Sequence, residues 1–336
     1  MIGILKTKML QKIEISHRTI IFTVLFLLGL LALYQIRQLI LVIFVSIILM
    51  SALNPAVDRL ERFRLPRWLA ILFLYILIFS GFGLILGILT PPLVDQTSSL
   101  INRIPTYLRD FKVPVVDPNM LASQISQLGF LPANILKFTL GLFSNIIGIF
   151  FLAIVTFYLL LEHKKLNRYL LVLFSEGGEK RAEDFVNKVE KSLGDWVRGE
   201  LVLMTIIGVM TYIGLTLLGI EFALPLAILA GILEIVPGIG PVISAVPGIL
   251  LGLTISPVMG LAVAALYFLI QQLENSLIAP KVIQRAVGVN PLVTILSLAI
   301  GFKLGGVIGA ILAVPIFLVL QAIISQISLA KRFKNL

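Results

Sequence analysis

The sequence is dominated by apolar runs of about 20 residues that contain no Asp, Glu, Lys or Arg. Five of these runs occupy residues 19–36, 39–57, 68–90, 139–161 and 201–219. A helix of about 20 apolar residues is long enough to cross the hydrocarbon core of a bilayer, about 30 Å thick. The sequence therefore predicts an all-α, polytopic membrane protein.

The composition agrees with that prediction. Hydrophobic residues make up 59% of the chain and charged residues 13%, against about 45–50% and about 25% in soluble proteins. This excludes a secreted disulfide module, a nucleic-acid-binding domain and a disordered regulator. Cysteine is absent, so the chain has no disulfide, no thiolate nucleophile and no Cys-ligated metal.

The 27 Lys and Arg residues are segregated along the chain and predict its orientation. Four precede the first run, four lie in 58–67 and eight in 162–200, whereas 91–138 has only four in a longer stretch. We therefore expect both termini, 58–67 and 162–200 to face the cytoplasm of an inner or plasma membrane. The first run lacks a small-residue cleavage site and a second run follows it, which predicts an uncleaved span.

These segments suggest five parts of the chain. They are N-terminal spans (1–90), an outward-facing segment whose prolines break any long helix (91–138), one span (139–161), a cytoplasmic segment (162–200) and a C-terminal transport core (201–336). Within 176–200, one helical face carries Phe185, Val189, Leu193, Trp196 and Val197. That helix either docks on the bundle or binds a partner.

Two stretches of the C-terminal third, 224–256 and 291–325, are too long or too irregular for single crossings. The second has 35 residues, which is about 52 Å of continuous helix. The first contains EIVPGIGP at 234–241 and the second KLGG at 303–306, and such clusters of Pro and Gly cannot continue a regular helix. We predict two helical hairpins. Eight plain spans are the alternative, which fits the Lys and Arg distribution slightly less well.

The two stretches also resemble each other. Pro225-Leu226 and Ala245-Val246-Pro247 match Pro291-Leu292 and Ala313-Val314-Pro315, at offsets of 66 and 68 residues. One crossing at 258–273 would place the hairpins on opposite membrane sides, as inverted repeats beside about six full spans. Non-helical backbone at membrane depth is tolerated where it lines a cavity, and inverted broken hairpins are typical of secondary transporters. The pattern therefore predicts a permease for a small polar solute.

Charges inside membrane segments are costly, so each one suggests a role. Glu234 and Lys303 are the only charges within the two hairpins, and they could form an ion pair, bind solute together, or lie at hairpin tips near water. The stretch 271–283 contributes Gln271, Gln272, Glu274 and Asn275, with Pro280 expected to end the helix. It is either interfacial capping or a polar wall of the solute path. Glu274 is then the best candidate to take up a proton, because burial favours a neutral carboxyl group.

Catalytic chemistry has little support in the sequence. The two histidines, His17 and His163, lie at span edges, and no Asp lies inside a span. Neither metal-ligand spacing nor a phosphate-binding loop is present. We therefore expect no enzyme activity and no cofactor.

Several motifs together resemble the autoinducer-2 exporter family of bacterial transporters. They are EIVPGIGP (234–241), QQLENSLIAPKVI (271–283), VNPL (289–292) and GGVIGAILAVP (305–315), in that order. The resemblance implies a homo-oligomeric permease that exports autoinducer-2 or exchanges Na⁺ and H⁺. It also implies functional roles for Glu234, Pro237, Gly238, Gly240, Pro241, Glu274, Asn275, Pro280, Gly306, Gly309 and Pro315. We add Gln271, Lys303 and Gly305 as candidates, although Lys303 lies where the family is expected to vary.

Three hypotheses follow. The first is a secondary transporter that exports a small polar solute such as autoinducer-2. The second is a Na⁺/H⁺ antiporter that uses Glu234 or Glu274 as its coupling carboxylate. The third, from another class, is a non-transporting scaffold that recruits a partner through the 176–200 helix.

Overall fold

The computed structural model of this chain describes residues 17–110, 146–172, 179–238, 240–283 and 291–334. Every regular element in these ranges is a helix, which confirms the all-α prediction. The chain divides into two compact units, residues 1–45 and 46–336. The described part of the first unit consists of α1 (His17–Gln35) and the beginning of α2 (Arg37–Arg62). None of the α1 side chains is buried, as expected for an apolar helix that faces lipid.

The second unit contains the rest of α2 and all later helices. These are α3 (Arg67–Asp110), α4 (Ile146–Val172), α5 (Glu179–Leu217), α6 (Ala223–Leu233), α7 (Gly240–Ile255), α8 (Pro257–Leu273), a π-helix (Glu274–Ile278), α9 (Ala279–Ile283) and α10 (Pro291–Lys334). Six helical stretches of the described chain are long and apolar enough to cross a membrane. They are His17–Gln35, Arg37–Arg62, Arg67–Pro92, Glu183–Leu217, Pro257–Val282 and Leu292–Ser325. The chain is therefore a polytopic membrane protein.

Helix α3 continues past the proline pair that was expected to end it. It passes through Pro91 and Pro92 and ends at Asp110, so the prediction that 91–138 starts with a helix break is wrong. Pro91 lies 24 residues after Arg67, or about 36 Å along the helix. That is beyond the hydrocarbon core, where water can hydrate the carbonyl groups that proline leaves without a donor. Residues 111–138 lie outside the described part of the chain.

Helix α5 joins two segments that the sequence separates. It runs unbroken from Glu179 to Leu217, so no helix end falls at the expected boundary between 200 and 201. Leu193 and Trp196 are buried, which agrees with a docked amphipathic face. A Cβ atom at Gly194 would overlap the carbonyl group of Ser51. The first half of α5 therefore packs directly against the backbone of α2.

The first predicted hairpin is confirmed. Helices α6 and α7 have 11 and 16 residues, or about 16 and 24 Å, and they pack against each other. Between them lies a turn in which Gly238 adopts a φ of +77°. Gly240 begins α7 against the Leu233 carbonyl, where a Cβ atom would overlap it. These positions require glycine, which explains the local sequence.

The second predicted hairpin is confirmed as well. Within α10, Gly305 and Gly306 have non-helical backbone angles, and Gly306 has a φ of +60°. A Cβ atom built at either Gly301 or Gly309 would overlap the other residue's carbonyl oxygen. In a continuous helix these two residues would be about 12 Å apart. The chain therefore folds back at Gly305-Gly306, and the alternative of plain spans is wrong.

The two hairpins pack against a common helix. Both the first hairpin, through α6, and the second hairpin, through α10, contact α5 extensively. Among the helix pairs with substantial contact in the described chain, none joins α10 to α6 or α7. The two hairpins are therefore not packed extensively against each other in the described chain. Each hairpin is instead positioned by α5.

The end of α2, the start of α3 and the middle of α4 are held together by one arginine, Arg67. The Arg67 side chain is 9% exposed and donates hydrogen bonds to Asp58 at 2.8 Å and to Glu61 at 2.9 Å. It also donates to the Asn54 side chain at 2.6 Å and to the Leu160 carbonyl oxygen at 2.7 Å. The planar guanidinium group suits such a multiple contact. Arg67 thus fixes the framework beside which α5 packs.

Candidate functional site

The most unusual feature of the second unit is a set of three buried glutamates. Glu200 lies on α5 and is 3% exposed, Glu234 follows α6 and is 0% exposed, and Glu274 begins the π-helix and is 4% exposed. A charged side chain within a membrane costs at least about 2.5 kcal/mol. Burial of three carboxyl groups therefore indicates a functional site, since polar groups without a role normally face water.

The α5–α6 contact brings Glu200 and Glu234 together. A Cβ atom at Gly231 would lie 2.8 Å from the Met204 carbonyl oxygen and 3.3 Å from the Gly208 Cα. Glycines at such a contact allow two helix backbones to approach closely. Glu234 lies one turn beyond Gly231, and Glu200 lies one turn before Met204 on the same face of α5. Both carboxyl groups therefore lie at the same end of this contact.

Glu274 reaches the same place from α8. Tyr267 and Ile270, which are buried, lie on the same helical face as Glu274. The Glu274 carboxyl group accepts a hydrogen bond from the Gln271 amide at 3.0 Å. This carboxyl group is also close enough to those of Glu234 and Glu200 for the three to interact electrostatically. Glu274 stands where α8 changes to a π-helix, a local irregularity that is frequent at functional sites.

The site lacks donors for its carboxylate oxygens. In the described part of the chain, neither oxygen of Glu200 or of Glu234 has a hydrogen-bond donor as a partner. Two carboxylates cannot donate to each other, and two unit charges about 4 Å apart repel by about 4 kcal/mol at an effective dielectric constant near 20. The arrangement is therefore suited to binding a proton or a small cation.

The other predicted site residues of the first hairpin follow Glu234 in the sequence. Glu234 is fully buried, Gly240 and Pro241 are buried, Pro237 is half-buried and Gly238 is exposed. The structure thus brings Glu234, Gln271 and Glu274 together, as a polar wall beside the first hairpin would require.

Asn275 and Pro280 are the other two predicted site residues of the stretch 271–283. Asn275 is exposed, so its side chain lies away from the buried carboxyl groups. Pro280 was expected to end the helix, and this is wrong, because α9 runs from Ala279 to Ile283. Pro280 follows closely after the π-helix (Glu274–Ile278), where the regular i→i−4 hydrogen bonds are already interrupted.

Of the alternatives for Glu234 and Lys303, an ion pair between the two is not formed in the structure. Lys303 is exposed, whereas Glu234 is buried and has no hydrogen-bonding partner among the described residues. The reason is that the second hairpin packs on α5 and does not present its turn to the first. Gly305 and Gly306 are exposed in that turn, Gly309 packs against Gly301, and Pro315 is buried in the second arm.

The sequence reasoning missed Glu200. It lies at the end of the apolar face of the amphipathic segment, four residues after the buried Trp196 and seven after the buried Leu193. A carboxyl group on the same helical face as apolar side chains that are expected to be buried would have indicated that Glu200 is buried too. It was overlooked because the segment was interpreted as wholly cytoplasmic.

A separate cavity of about 840 Å³ lies between α3 and α4. Its lining is apolar and aromatic, with Tyr75, Phe79, Phe157 and Tyr158 among its residues. Tyr75 donates its hydroxyl hydrogen bond to the Ala153 carbonyl oxygen at 2.9 Å. None of the described lining residues belongs to either hairpin, so this cavity is distinct from the carboxyl cluster and is suited to apolar groups.

Membrane-length helices, two broken hairpins and buried carboxyl groups together define a membrane transporter. Residues 20–329 match the model of a protein family described as AI-2E family transporter. The chain therefore belongs to the AI-2E transporter family, as its motifs predicted, and is a multi-pass protein of the bacterial inner membrane.

Several known relatives cover most of the chain. It is 28% identical to YrrI of Bacillus subtilis over 302 residues, which are 85% of this chain and 86% of that protein. It is also 28% identical to YueF of Bacillus subtilis over 297 residues, covering 82% and 80% of the two chains. The AI-2 transport protein TqsA of Escherichia coli is 28% identical over 297 residues, covering 85% and 84%. The family match, over residues 20–329, extends across both hairpins.

Proposed function

We propose that this chain is a secondary transporter that exports a small polar solute of the autoinducer-2 class. The observation that carries the proposal is the pair of helical hairpins, each interrupted by glycine at its turn, in a chain with membrane-length helices. Such interrupted hairpins place non-helical backbone at membrane depth, where it can line the path of a polar solute. The name of the relative TqsA supports autoinducer-2 as the first solute to test.

In this proposal the first hairpin and Glu274 form the solute and ion site. Glu234 and Glu274 are the coupling carboxyl groups, Gln271 orients Glu274, and Gly240 and Pro241 shape the turn beside them. Gly305, Gly306 and Gly309 give the second hairpin its turn and its close packing. Protonation of the carboxyl pair would alter its charge in each transport cycle.

The arrangement in the membrane is part of the same proposal. Both termini and the first half of α5 would face the cytoplasm, because Lys and Arg are concentrated there. The two hairpins would enter from opposite sides, since one crossing, α8 with the following short helices, lies between them. We also propose a homo-oligomer, on the family resemblance alone.

Efflux from proteoliposomes tests the proposal. Vesicles that contain the purified protein and are loaded with autoinducer-2 should release it faster than protein-free vesicles. Glu234→Gln and Glu274→Gln should each abolish most of this release, whereas Glu183→Gln, on the exposed side of α5, should leave it unchanged. Unaltered efflux in both site variants would count against these two residues.

The buried carboxyl groups favour a second candidate, a Na⁺/H⁺ antiporter. Inverted vesicles that are acidified inside quench a pH-sensitive dye, and exchange of Na⁺ for H⁺ would restore its fluorescence. Recovery in the wild type that is lost in Glu234→Gln would support antiport. If adding Na⁺ causes no recovery at any pH, this candidate is removed.

A further inference from the structure

Glu200 has no role in the function proposed above, although it is as deeply buried as the two glutamates that do. Its carboxyl group lies beside Glu234 and Glu274, on a helix that belongs to neither hairpin. We infer that Glu200, Glu234 and Glu274 form a single proton-binding site that spans α5 and the first hairpin, so that H⁺ is the coupling ion. The inference rests on the proposed transport function and names its ion and its third carboxyl group.

Among the described residues, no group donates a hydrogen bond to Glu200 or Glu234. Glu200 and Glu234 are each buried, and none of their four carboxylate oxygens accepts a hydrogen bond from the described residues. Only Glu274 receives a donor, from Gln271. A buried carboxylate without a donor is costly, whereas a carboxylic acid can donate to a neighbouring carboxylate. Protons held within the cluster therefore satisfy oxygens that no other group reaches.

The charged groups on the packed elements provide no alternative. On α5 itself, Arg198 is engaged by Asp195 and by the α2 carbonyl groups, and Glu190 pairs with His163 of α4. The other charged side chains described on α2, α3, α4, α9 and α10 are Arg37, Asp58, Arg59, Glu61, Arg62, Arg67, Asp95, Glu162, Lys165, Lys281 and Lys303. None of them donates to Glu200 or Glu234.

The cluster is better suited to protons than to Na⁺. A metal cation needs several oxygen ligands around one point. The described residues contain no group of three acidic or histidine side chains arranged to hold a metal ion. A proton needs only one acceptor beside its own carboxyl group, and the Glu234–Glu274 pair provides it.

The position of Glu200 gives the site a mechanical consequence. Glu200 and Glu234 lie on opposite sides of the α5–α6 contact, whose backbones touch at Gly208 and Gly231. When the cluster is protonated, the helices can stay in contact. When it loses its protons, like charges face each other across that contact and favour separation. Proton binding would thus control the docking of the first hairpin on α5.

Infrared spectroscopy of the purified full chain provides one test. The wild type near neutral pH should show an absorption band from protonated carboxyl groups, which disappears as the pH is raised. Glu200→Gln, Glu234→Gln and Glu274→Gln should each remove part of this band, and the matched control Glu183→Gln should not change it. If the band is unchanged in Glu200→Gln, the inference is overturned. If replacing K⁺ by Na⁺ at fixed pH removes the band, the site binds Na⁺ and the assignment of H⁺ is overturned.

A second measurement leaves the cluster intact. Because the chain has no cysteine, spin labels can be attached to Tyr212→Cys on α5 and Leu229→Cys on α6, both of which are exposed positions. The distance between the labels should lengthen as the pH is raised, and Glu200→Gln should suppress the change. A distance that does not depend on pH would contradict the inference even if Glu200→Gln fails to fold. Both measurements are independent of solute, so an absence of autoinducer-2 efflux would refute only the proposed function.

Discussion

Arg198 of α5 donates hydrogen bonds to the carbonyl oxygen of Ala52, at 2.8 Å, and to that of Ser51, at 3.3 Å. The second contact replaces a missing helical hydrogen bond. Pro55 lies inside α2 and has no N–H to donate to the Ser51 carbonyl group four residues earlier. The Arg198 side chain of α5 therefore supplies the hydrogen bond that the Ser51 carbonyl group of α2 would otherwise lack.

Removing this arginine should destabilise the protein in a way that depends on Pro55. We expect Arg198→Ala to lower the free energy of unfolding by about 1 kcal/mol, because the Arg198 side chain is 40% exposed. The loss should be smaller in a Pro55→Ala background, where residue 55 supplies the N–H. Thermal unfolding in detergent measures both effects, with Lys191→Ala, an exposed site on α5, as the control. Equal losses in the two backgrounds would contradict the explanation.

The α5–α6 contact should not tolerate a methyl group. A Cβ atom at Gly231 would lie 2.8 Å from the Met204 carbonyl oxygen, and overpacking of this kind costs about 1–3 kcal/mol. Gly231→Ala should therefore lower the unfolding temperature and reduce transport. Gly87→Ala is the matched control, since no atom lies within 4 Å of the added carbon. A wild-type unfolding temperature in Gly231→Ala would show that this contact is looser than described.

The turn of the second hairpin offers two adjacent glycines with different requirements. Gly306 has a φ of +60° and a ψ of −144°, whereas Gly305 has a φ of −136° and open space around its Cα. An L-residue at the Gly306 backbone angles costs about 1–3 kcal/mol. We expect Gly306→Ala to reduce thermal stability and Gly305→Ala to have little effect. Comparable unfolding temperatures for the two variants would argue against the described turn.

Arg67 should not be replaceable by lysine. It donates to four acceptors on α2 and α4, and a lysine ammonium group cannot reproduce that planar geometry. Arg67→Lys should cost about 2 kcal/mol, measured as a lower midpoint of unfolding. Arg62→Lys, at an exposed position in the same connection, should change the midpoint by less than about 0.5 kcal/mol. If Arg67→Lys leaves the midpoint of unfolding unchanged, the contacts with Asp58 and Glu61 contribute little to stability.

The parts of the fold that depend on local chemistry could be predicted from the sequence. Both hairpin turns were located at the correct residues, because Gly238 and Gly306 adopt positive φ angles that favour glycine. The membrane helices were equally accessible, since uncharged runs of sufficient length have few alternatives in a bilayer. Glu234, Gln271 and Glu274 were selected because polar groups in apolar segments are conspicuous.

The remaining features depend on contacts between residues far apart in the chain. Glu200 was missed because its burial arises from packing against α6 and α8. Whether Lys303 pairs with Glu234 could not be decided from the sequence, because it depends on the packing of the second hairpin on α5. The continuation of α3 past Pro91 shows that a strong local signal can be overridden when freed carbonyl groups have access to water. Local sequence specifies where the chain can turn, but not which helices will then meet.

The continuity of α5 sets a constraint on how such a molecule can work. One rod of 39 residues touches α2 near one end and both hairpins along the rest of its length. If either hairpin shifts during a transport cycle, it must slide or pivot on that rod, because no other described helix contacts both extensively. The helix then acts as a common support for both hairpins. A bulky substitution at Gly208, which faces the first hairpin, would impair the movement of that hairpin and leave the second one free.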